Sequence, residues 1–318
     1  MTASPTPPST DASPAGVSIV LLMKNHRPYM ARGFDIIAHQ DFDAPVEFIY
    51  IDSGSTDGTI EFMRQRGIEP HIIPPQDFHH ARTRNLAASM AHHDILVMLS
   101  ADATPTGTRW LHNLTRHFAD PTVAAVYGKQ IPPEGTGRLR QRTMACLYPD
   151  ERDVRRIRAD GVIPMRYVRF SDANSAVRKS LWQRFPYYDR ALVAEDHGMC
   201  YHALKEGFSV VYEPEAAVIH GHERSLWGDF QFAVDNAISL KRMGILDDPA
   251  VGSALAYGLA QVSSDLAYFL KRGRPDAAFG SLCIAFAKLA GVQVGKRETR
   301  FPRWFMRFAS MNMKRLDG

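Results

Sequence analysis

Val46-Glu47-Phe48-Ile49-Tyr50-Ile51-Asp52-Ser53-Gly54-Ser55-Thr56-Asp57-Gly58-Thr59 runs from an apolar segment, through a turn of small residues, into the start of a helical segment. Val46 to Ile51 reads as a strand and Gly58 to Arg66 as the helix after it. A strand that turns through Ser53, Gly54 and Ser55 into a helix N-terminus is where open α/β sheets bind ligands, and Asp52 is a hydrogen-bond acceptor at that point. The same residues also make an ordinary turn, with Thr56 or Asp57 capping the helix whatever the function. The stretch lacks the lysine and the spacing of a phosphate-cradling P-loop.

Working outward, Val17 to Met23 (V-S-I-V-L-L-M) and Ile95 to Leu99 are apolar runs of the same kind, as expected of strands covered on both faces. Tyr29 to His39 and Ala81 to His92 favour helix between them. The alternation predicts a Rossmann-like α/β fold, a mostly parallel open sheet with helices on both faces. After a short strand at Val123 to Tyr127, the stretch Arg138 to Arg169 holds nine arginines against four acids, with Pro149, Gly161 and Pro164 as breakers. Helix pieces and a mobile loop are expected there. Ala173 to Val177, a helix near Glu195, Phe208 to Tyr212 and Ala217 to His220 read as a second, mixed portion of the sheet. From Ser225 the pattern turns helical, over Leu226 to Met243, Pro249 to Arg272 and Asp276 to Leu289. The chain thus divides into a disordered lead-in (1–16) with four prolines, a sheet domain (17–224) and a helical C-terminal region (225–318).

With 318 residues, 45% hydrophobic and 23% charged, the chain is of globular composition, which excludes collagen-like and disulfide-scaffold classes. Cys146, Cys200 and Cys283 are too scattered for a disulfide framework and suit a reducing compartment. The N-terminus lacks the pattern of a signal peptide, and no run of about eighteen apolar residues is seen, so a cytoplasmic protein is expected. The net charge of +4 is concentrated at one end, where 291–318 carries seven bases and two acids. A local excess of this kind argues against a nucleic-acid-binding domain.

Four further constellations could carry chemistry. Arg82 and Arg84 in H-H-A-R-T-R-N-L-A-A open a helix, where guanidinium forks and unpaired amides suit a diphosphate, although two arginines on a solvated helix face look the same. Asp102 stands where the strand Ile95 to Leu99 ends, able to share a divalent cation with phosphate oxygens or simply to shape a turn before Pro105. Glu195 and Asp196 enter a helix, where acids also favour the helix dipole. His220 and His222, two apart on an extended segment, point the same way and could reach one metal, or be surface residues.

In order and spacing, I-V-L-L-M-K-N, I-D-S-G-S-T-D-G-T, A-R-T-R-N-L-A, V-M-L-S-A-D-A-T-P, A-N-S-A-V-R, A-E-D-H-G-M-C-Y-H-A-L-K-E-G-F and E-P-E-A-A-V-I-H-G-H resemble the inverting family-2 glycosyltransferases of the GT-A fold. More narrowly, they resemble the bacterial rhamnosyltransferase-like members that build surface polysaccharides. The resemblance covers about Val17 to His222, and more loosely the helical segment to Lys296. It implies transfer of a sugar from a nucleotide diphosphate, a dTDP- or UDP-sugar and above all dTDP-L-rhamnose, to an acceptor hydroxyl with inversion.

The resemblance also implies roles. Asp52, with Ser53 beside it, would contact the base or ribose. Asp102 matches the metal-binding or ribose-contacting aspartate of the D-x-D signature, whose first position here is Ser100. Asp196 matches the catalytic base, since an acceptor hydroxyl needs a carboxylate to take its proton as the bond forms, and Glu195 would orient its neighbours or contact the acceptor. A divalent metal, manganese or magnesium, would bridge the phosphates through Asp102 with His220 or His222. Arg82 and Arg84 would add electrostatic support, and Asn174 and Ser175 would hydrogen-bond the sugar. The acceptor would be a glycan or a lipid-linked glycan.

The segment Arg300 to Phe308 (R-F-P-R-W-F-M-R-F) interleaves bases with aromatics, as an interfacial segment on an anionic membrane does, and also as a helix packed on its own domain does. Membrane-surface contact through 296–318 would place the protein peripherally at the inner face of the plasma membrane. The alternative of another class is a non-catalytic nucleotide-sugar-binding or scaffold protein, its activity lost with the aspartate missing at Ser100. A nucleotidyltransferase needs a glycine-rich loop that Lys24 to Pro28 does not supply.

Overall fold

The computed structural model describes residues 15–313, so nearly all of the expected lead-in (1–16) and the last five residues of the basic tail lie outside the described residues. Nine strands are present: β1 (Val17–Met23), β2 (Val46–Asp52), β3 (His71–Ile72), β4 (Ile95–Ser100), β5 (Thr104–Pro105), β6 (Val123–Ile131), β7 (Asp153–Arg155), β8 (Asn174–Arg178) and β9 (Ser209–Ile219). They form one sheet in the order β3-β2-β1-β4-β8-β6-β9-β5, with β7 also on β9. The four strands at the β3 end pair in parallel, but β8 runs antiparallel to both β4 and β6. The sheet expected to be mostly parallel is therefore mixed. The reason lies in the excursion through 138–169, which returns the chain to the sheet between β4 and β6 in the opposite direction.

Residues of β1 show why an unbroken apolar run is needed. Val17, Ile19, Leu21 and Met23 face one core, whereas Val20 faces the other, and all are essentially inaccessible to water. The first core is closed by α1 (Arg27–Ala38), α2 (Thr59–Arg64) and α4 (Trp110–Thr115), and the second by α3 (His80–Met90) and, further along, α8 (Glu195–Lys205). The period-2 geometry of a strand thus sends alternate residues into two apolar layers. Three helices complete the sheet region, α5 (Arg138–Leu147), α6 (Met165–Val168) and α7 (Lys179–Arg184).

Two expectations change here. The stretch expected to hold a mobile loop is tied down: β7 pairs β9, and the buried Arg155 donates to the carbonyls of Tyr167 and Arg169 and to the Tyr127 hydroxyl. A buried guanidinium supplies five donors and so can gather several acceptors at once. The two strands expected around Phe208 and Ala217 are one strand, β9, whose register against β6 slips between Gly128 and Gln130 to accommodate Pro214. Gly128 permits this closeness, because a Cβ there would sit 2.0 Å from the Ala216 carbonyl.

Helices α9 (Leu226–Arg242), α10 (Ala254–Leu270), α11 (Pro275–Lys296) and α12 (Arg303–Ala309) follow the sheet. Ser225 and Ser253 cap α9 and α10, their hydroxyls accepting from Gly228 and Ala256 main-chain N–H groups. Helix α11 lies against α9 through Gly291 and Gly295, where Cβ atoms would meet the carbonyls of Phe230 and Val234 at 2.4 and 2.5 Å. Only a residue without a Cβ permits this backbone approach. The helices are not a separate bundle: Leu240 of α9 joins the main core, and Val234 and Ile238 pack with Leu192 and Met306.

Candidate active site

A cavity of about 310 Å³ opens where β1 and β4 end, in the size range of small-ligand sites. Lys24, His26, Ser100, Asp102, His220 and His222 line it on polar ground, and Arg84 and Asp172 line it with Phe78 and Met98. Sheet register explains the convergence. Pairing of β5 with β9 sets Thr104 against Ile219, so Asp102, two residues before Thr104, meets His220, one residue after Ile219. His220 Nε2 lies 3.5 Å from Asp102 Oδ1, and His222 Nε2 lies 3.2 Å from Asp102 Oδ2.

These three side chains offer ligand atoms all within 4.8 Å of one another. His220 is oriented from behind, its Nδ1 2.9 Å from Gln130 Oε1, which leaves Nε2 toward the cavity. Burial pushes the His220 pKa down, against the pull of Asp102, and so favours the neutral ring that a metal requires. Burial alone would raise the Asp102 carboxyl, but the hydrogen bond from His222 and the charges of both histidines bring it down to about 2. Two imidazoles and one ionised carboxylate, with open positions toward the cavity, fit a divalent transition ion that also takes ligand oxygens.

The acidic pair does not itself line the cavity but touches two residues that do, Arg84 and Asp172. Ala194, immediately before it, has φ 58, a left-handed conformation uncommon for a residue with a Cβ. The strain turns the chain sharply into α8 and brings Glu195 against Arg84 of α3. Arg84 Nε also lies 3.3 Å from Asp172 Oδ2, and the Asp172 main-chain N–H donates to Asp196 Oδ2 at 3.0 Å. Asp196 Oδ1 accepts from the His197 main-chain N–H at 2.9 Å and lies 2.9 Å from its Nδ1. Burial opposes ionisation of Asp196, but the hydrogen bond and charge of His197, with Arg84 behind, hold it below the usual carboxylate range. Asp172 is wholly buried, and burial drives its carboxyl the other way, upward. Two carboxylates in one buried network thus differ in their hold on a proton.

The remaining expected residues are placed differently. Asp52 is buried, one strand from the cavity, and both its oxygens are engaged by Ser55, from the main-chain N–H at 2.7 Å and the hydroxyl at 2.6 Å. Ser53 is buried and donates to the Met23 carbonyl. These bonds shape the turn that borders the cavity. Arg82 is exposed and does not line the cavity, and Arg84, engaged by two carboxylates, has little charge left for a diphosphate.

Asn174 and Ser175 are fully buried. Asn174 Oδ1 accepts from Trp110 and its amide donates to the Ala216 carbonyl, while Ser175 donates to Asp172 Oδ1. The polar groups of Asn174 and Ser175, expected to hydrogen-bond a sugar, are thus engaged by partners inside the fold. Sequence reasoning missed Lys24, His26, Asp172 and Gln130. Lys24 and His26 were accessible to it, since they follow the end of β1 as Asp102 follows β4.

A family model described as glycosyl transferase family 2 matches residues 18–181, just over half the chain. The O-antigen chain rhamnosyltransferase RfbN of Salmonella typhimurium is 28% identical over 270 residues, covering 84% of this chain and 85% of that one. WbaN of Salmonella anatum, also an O-antigen chain rhamnosyltransferase, is 28% identical over 271 residues with the same coverage. Among solved structures, the mannosyltransferase PcManGT from Pyrobaculum calidifontis, in complex with GDP-Man and Mn2+, superposes with TM-score 0.61 at 20% identity, covering 92% of this chain and 89% of that one. S. aureus TarS 1–349 with UDP follows with TM-score 0.53 at 12% identity, covering 91% and 93%. With the family model over more than half its length, and a GT-A sheet beneath it, the chain belongs to glycosyl transferase family 2 and is a glycosyltransferase.

Proposed function

We propose that the enzyme transfers L-rhamnose from dTDP-L-rhamnose to an acceptor hydroxyl in surface polysaccharide assembly, with inversion and with the help of a divalent metal. The observation that carries the reading is the Asp102–His220–His222 cluster on the wall of a cavity that is also lined by Arg84 and Asp172, the residues bonded to Glu195 and Asp196. Likeness to RfbN and WbaN supports rhamnose as the transferred sugar.

The nucleotide lies over the ends of β1 and β2, beside the turn built by Asp52 and Ser53, with its diphosphate toward Asp102. A metal held by Asp102, His220 and His222 supplies charge stabilisation for the leaving diphosphate. The mixed nitrogen and oxygen donor set suits manganese better than magnesium, which prefers oxygen ligands alone. Lys24, at the cavity rim, adds positive charge. Asp196, ionised and held by His197 and by the Asp172 N–H, takes the acceptor proton as the hydroxyl attacks the anomeric carbon. Glu195 holds its place by pairing with Arg84, and Arg84 acts on the base through this network. The sheet domain (17–224) carries this chemistry.

The helical region (225–318) turns apolar side chains outward, Trp304 at 72% and Phe308 at 61% exposure among them. Contact of 296–318 with an anionic membrane surface, at its inner face, supports a lipid-linked acceptor. Calorimetric titration of dTDP, UDP and GDP, with and without manganese, tests the donor reading. Metal-dependent binding of dTDP, at least tenfold tighter than of GDP, is expected. Absence of binding by all three nucleotides overturns the donor reading.

A further inference from the structure

Lys24 to Arg27 carry the chain out of β1 along the cavity, and each of these residues commits its main-chain N–H to a side chain. Asn25 donates to Ser55 Oγ at 2.8 Å, His26 to Thr59 Oγ1 at 3.0 Å and Arg27 to Asp57 Oδ2 at 2.9 Å, all in the turn and helix start after β2. The Thr56 N–H donates back to Asn25 Oδ1 at 2.8 Å. Asn25 is thereby held at φ 56; it and Ala194 are the two non-glycine residues in the left-handed region among the described residues. Ala194 precedes the acidic pair, and Asn25 precedes a residue of the cavity wall, His26. Such conformations persist where surrounding bonds over-determine them, and they cluster at binding and catalytic positions.

The remaining N–H of the segment, that of Lys24, donates to His26 Nδ1 at 2.9 Å. A ring nitrogen that accepts carries no proton, so the imidazole is neutral and its one proton sits on Nε2. Nε2 has no hydrogen-bond partner among the described residues and is not sealed from solvent. Sheet register sets this ring near the histidine–aspartate cluster: Leu22 of β1 pairs with Ser100 of β4, so the chain leaving β1 runs beside the turn that carries Asp102. With its amides spent, the segment has only side-chain donors to offer an anion, the Lys24 ammonium and the His26 Nε2–H. Neutrality of the ring matters here. An imidazolium would repel a cation held at Asp102, whereas a neutral N–H stands beside one without that cost.

We propose that His26 contacts the donor, its Nε2–H donating to an oxygen of the diphosphate. The proposal rests on the transferase reading above and gives a role to a cavity residue that the reading leaves unused. In the transfer, the acceptor oxygen forms its bond to the anomeric carbon and gives its proton to Asp196. The bond from that carbon to the diphosphate breaks, and its electron pair leaves with the diphosphate oxygen. A fixed donor at the diphosphate is worth more to this departing anion than to the intact nucleotide sugar. His26 keeps its own proton throughout.

Calorimetry on the full chain with His26→Asn and His26→Gln tests this. Asparagine keeps an acceptor where Nδ1 stands, and so the bond from the Lys24 N–H, but has no atom at the Nε2 position. Glutamine reaches that position with an amide N–H. The probes are inorganic pyrophosphate and dTDP, each with manganese, and thymidine. His26→Asn is expected to weaken pyrophosphate and dTDP about ten- to a hundredfold and to leave thymidine within about twofold. His26→Gln is expected to recover most of that loss. Manganese binding without nucleotide, followed by electron paramagnetic resonance, is expected to be the same in all three proteins. Equal loss of thymidine and dTDP makes His26 a base contact and overturns the proposal. Equal loss in both variants makes it a structural part of the loop and does the same, as does unchanged pyrophosphate binding in His26→Asn. A parent protein that binds pyrophosphate but not dTDP strikes the dTDP reading alone, and the pyrophosphate titrations still decide the role of His26.

Discussion

In the proposed mechanism Asp196 takes the acceptor proton, and its surroundings say what its loss should do. Each of its oxygens accepts from a main-chain N–H, Oδ1 from His197 and Oδ2 from Asp172, so an asparagine keeps the shape but sets its amide group against one of these donors and cannot take a proton. Asp196→Asn is expected to lower turnover about a thousandfold while leaving dTDP affinity within about twofold, read by steady-state kinetics and calorimetry. Retained turnover would move the base elsewhere, with Asp172 the next carboxylate in the network. Asp102, His220 and His222 were legible in the sequence because each sits at a strand end, where spacing and exposure can be inferred locally. The partners that give them purpose were not. Gln130 reaches His220 across 90 positions and Arg84 reaches Glu195 across 111, and only sheet order brings such residues together. Nothing nearby in sequence announces Trp110 as the partner of Asn174 either.

Among the elements, β9 shows how a local breaker can be absorbed. Pro214 reads as the end of one strand and the start of another, but Glu213 beside it anchors the bend. Its wholly buried carboxylate meets Arg116, His117 and Arg152. Burial pushes its pKa up, but these hydrogen bonds and the Glu215 main-chain N–H outweigh burial and bring it down to about 2. The folded-state value lies below the unfolded one, so the stabilisation is complete above about pH 4.5 and is lost as pH falls toward 2. Glu213→Gln is expected to cost roughly 2–3 kcal/mol at pH 7 and much less at pH 3. Urea denaturation of both proteins at the two pH values checks it, and an equal cost at both would remove the ionic explanation. The strand–helix alternation of the first half needed no such partner information, because period and apolar run length are written into each segment.

For the whole molecule, the uneven distribution of surface greasiness is the main physical fact. Eleven of the seventeen large hydrophobic side chains that are exposed among the described residues lie between Leu226 and Met311, with Phe279, Phe286, Trp304 and Phe308 the most open. Helix α11 is also long and apolar enough to cross a membrane, yet the glycines that hold it to α9 fix it as part of the folded body. Contact along a bilayer surface fits both facts. Co-sedimentation with vesicles rich in anionic lipid, and not with neutral ones, is expected, and Trp304→Ser with Phe308→Ser should weaken it roughly tenfold or more. Equal recovery with both vesicle types, or none, would assign the patch to protein contacts instead.

The Gly291 and Gly295 contact has a consequence for how the chain can vary. Where two helices touch through side chains, a change on one can be met by a change on the other, and the pair drifts together. Where they touch through backbone, there is no volume to trade, and any larger residue must push the helices apart. The outward face of α11 can therefore change sequence freely so long as it stays apolar, while its inner face has almost no freedom. Because α9 follows the histidine loop within a few residues, that rigid seam also sets the height of the donor cavity above whatever surface the helices meet. If the helices rest on a membrane as proposed, the enzyme works at a fixed standoff, and its acceptor must present its hydroxyl at that distance.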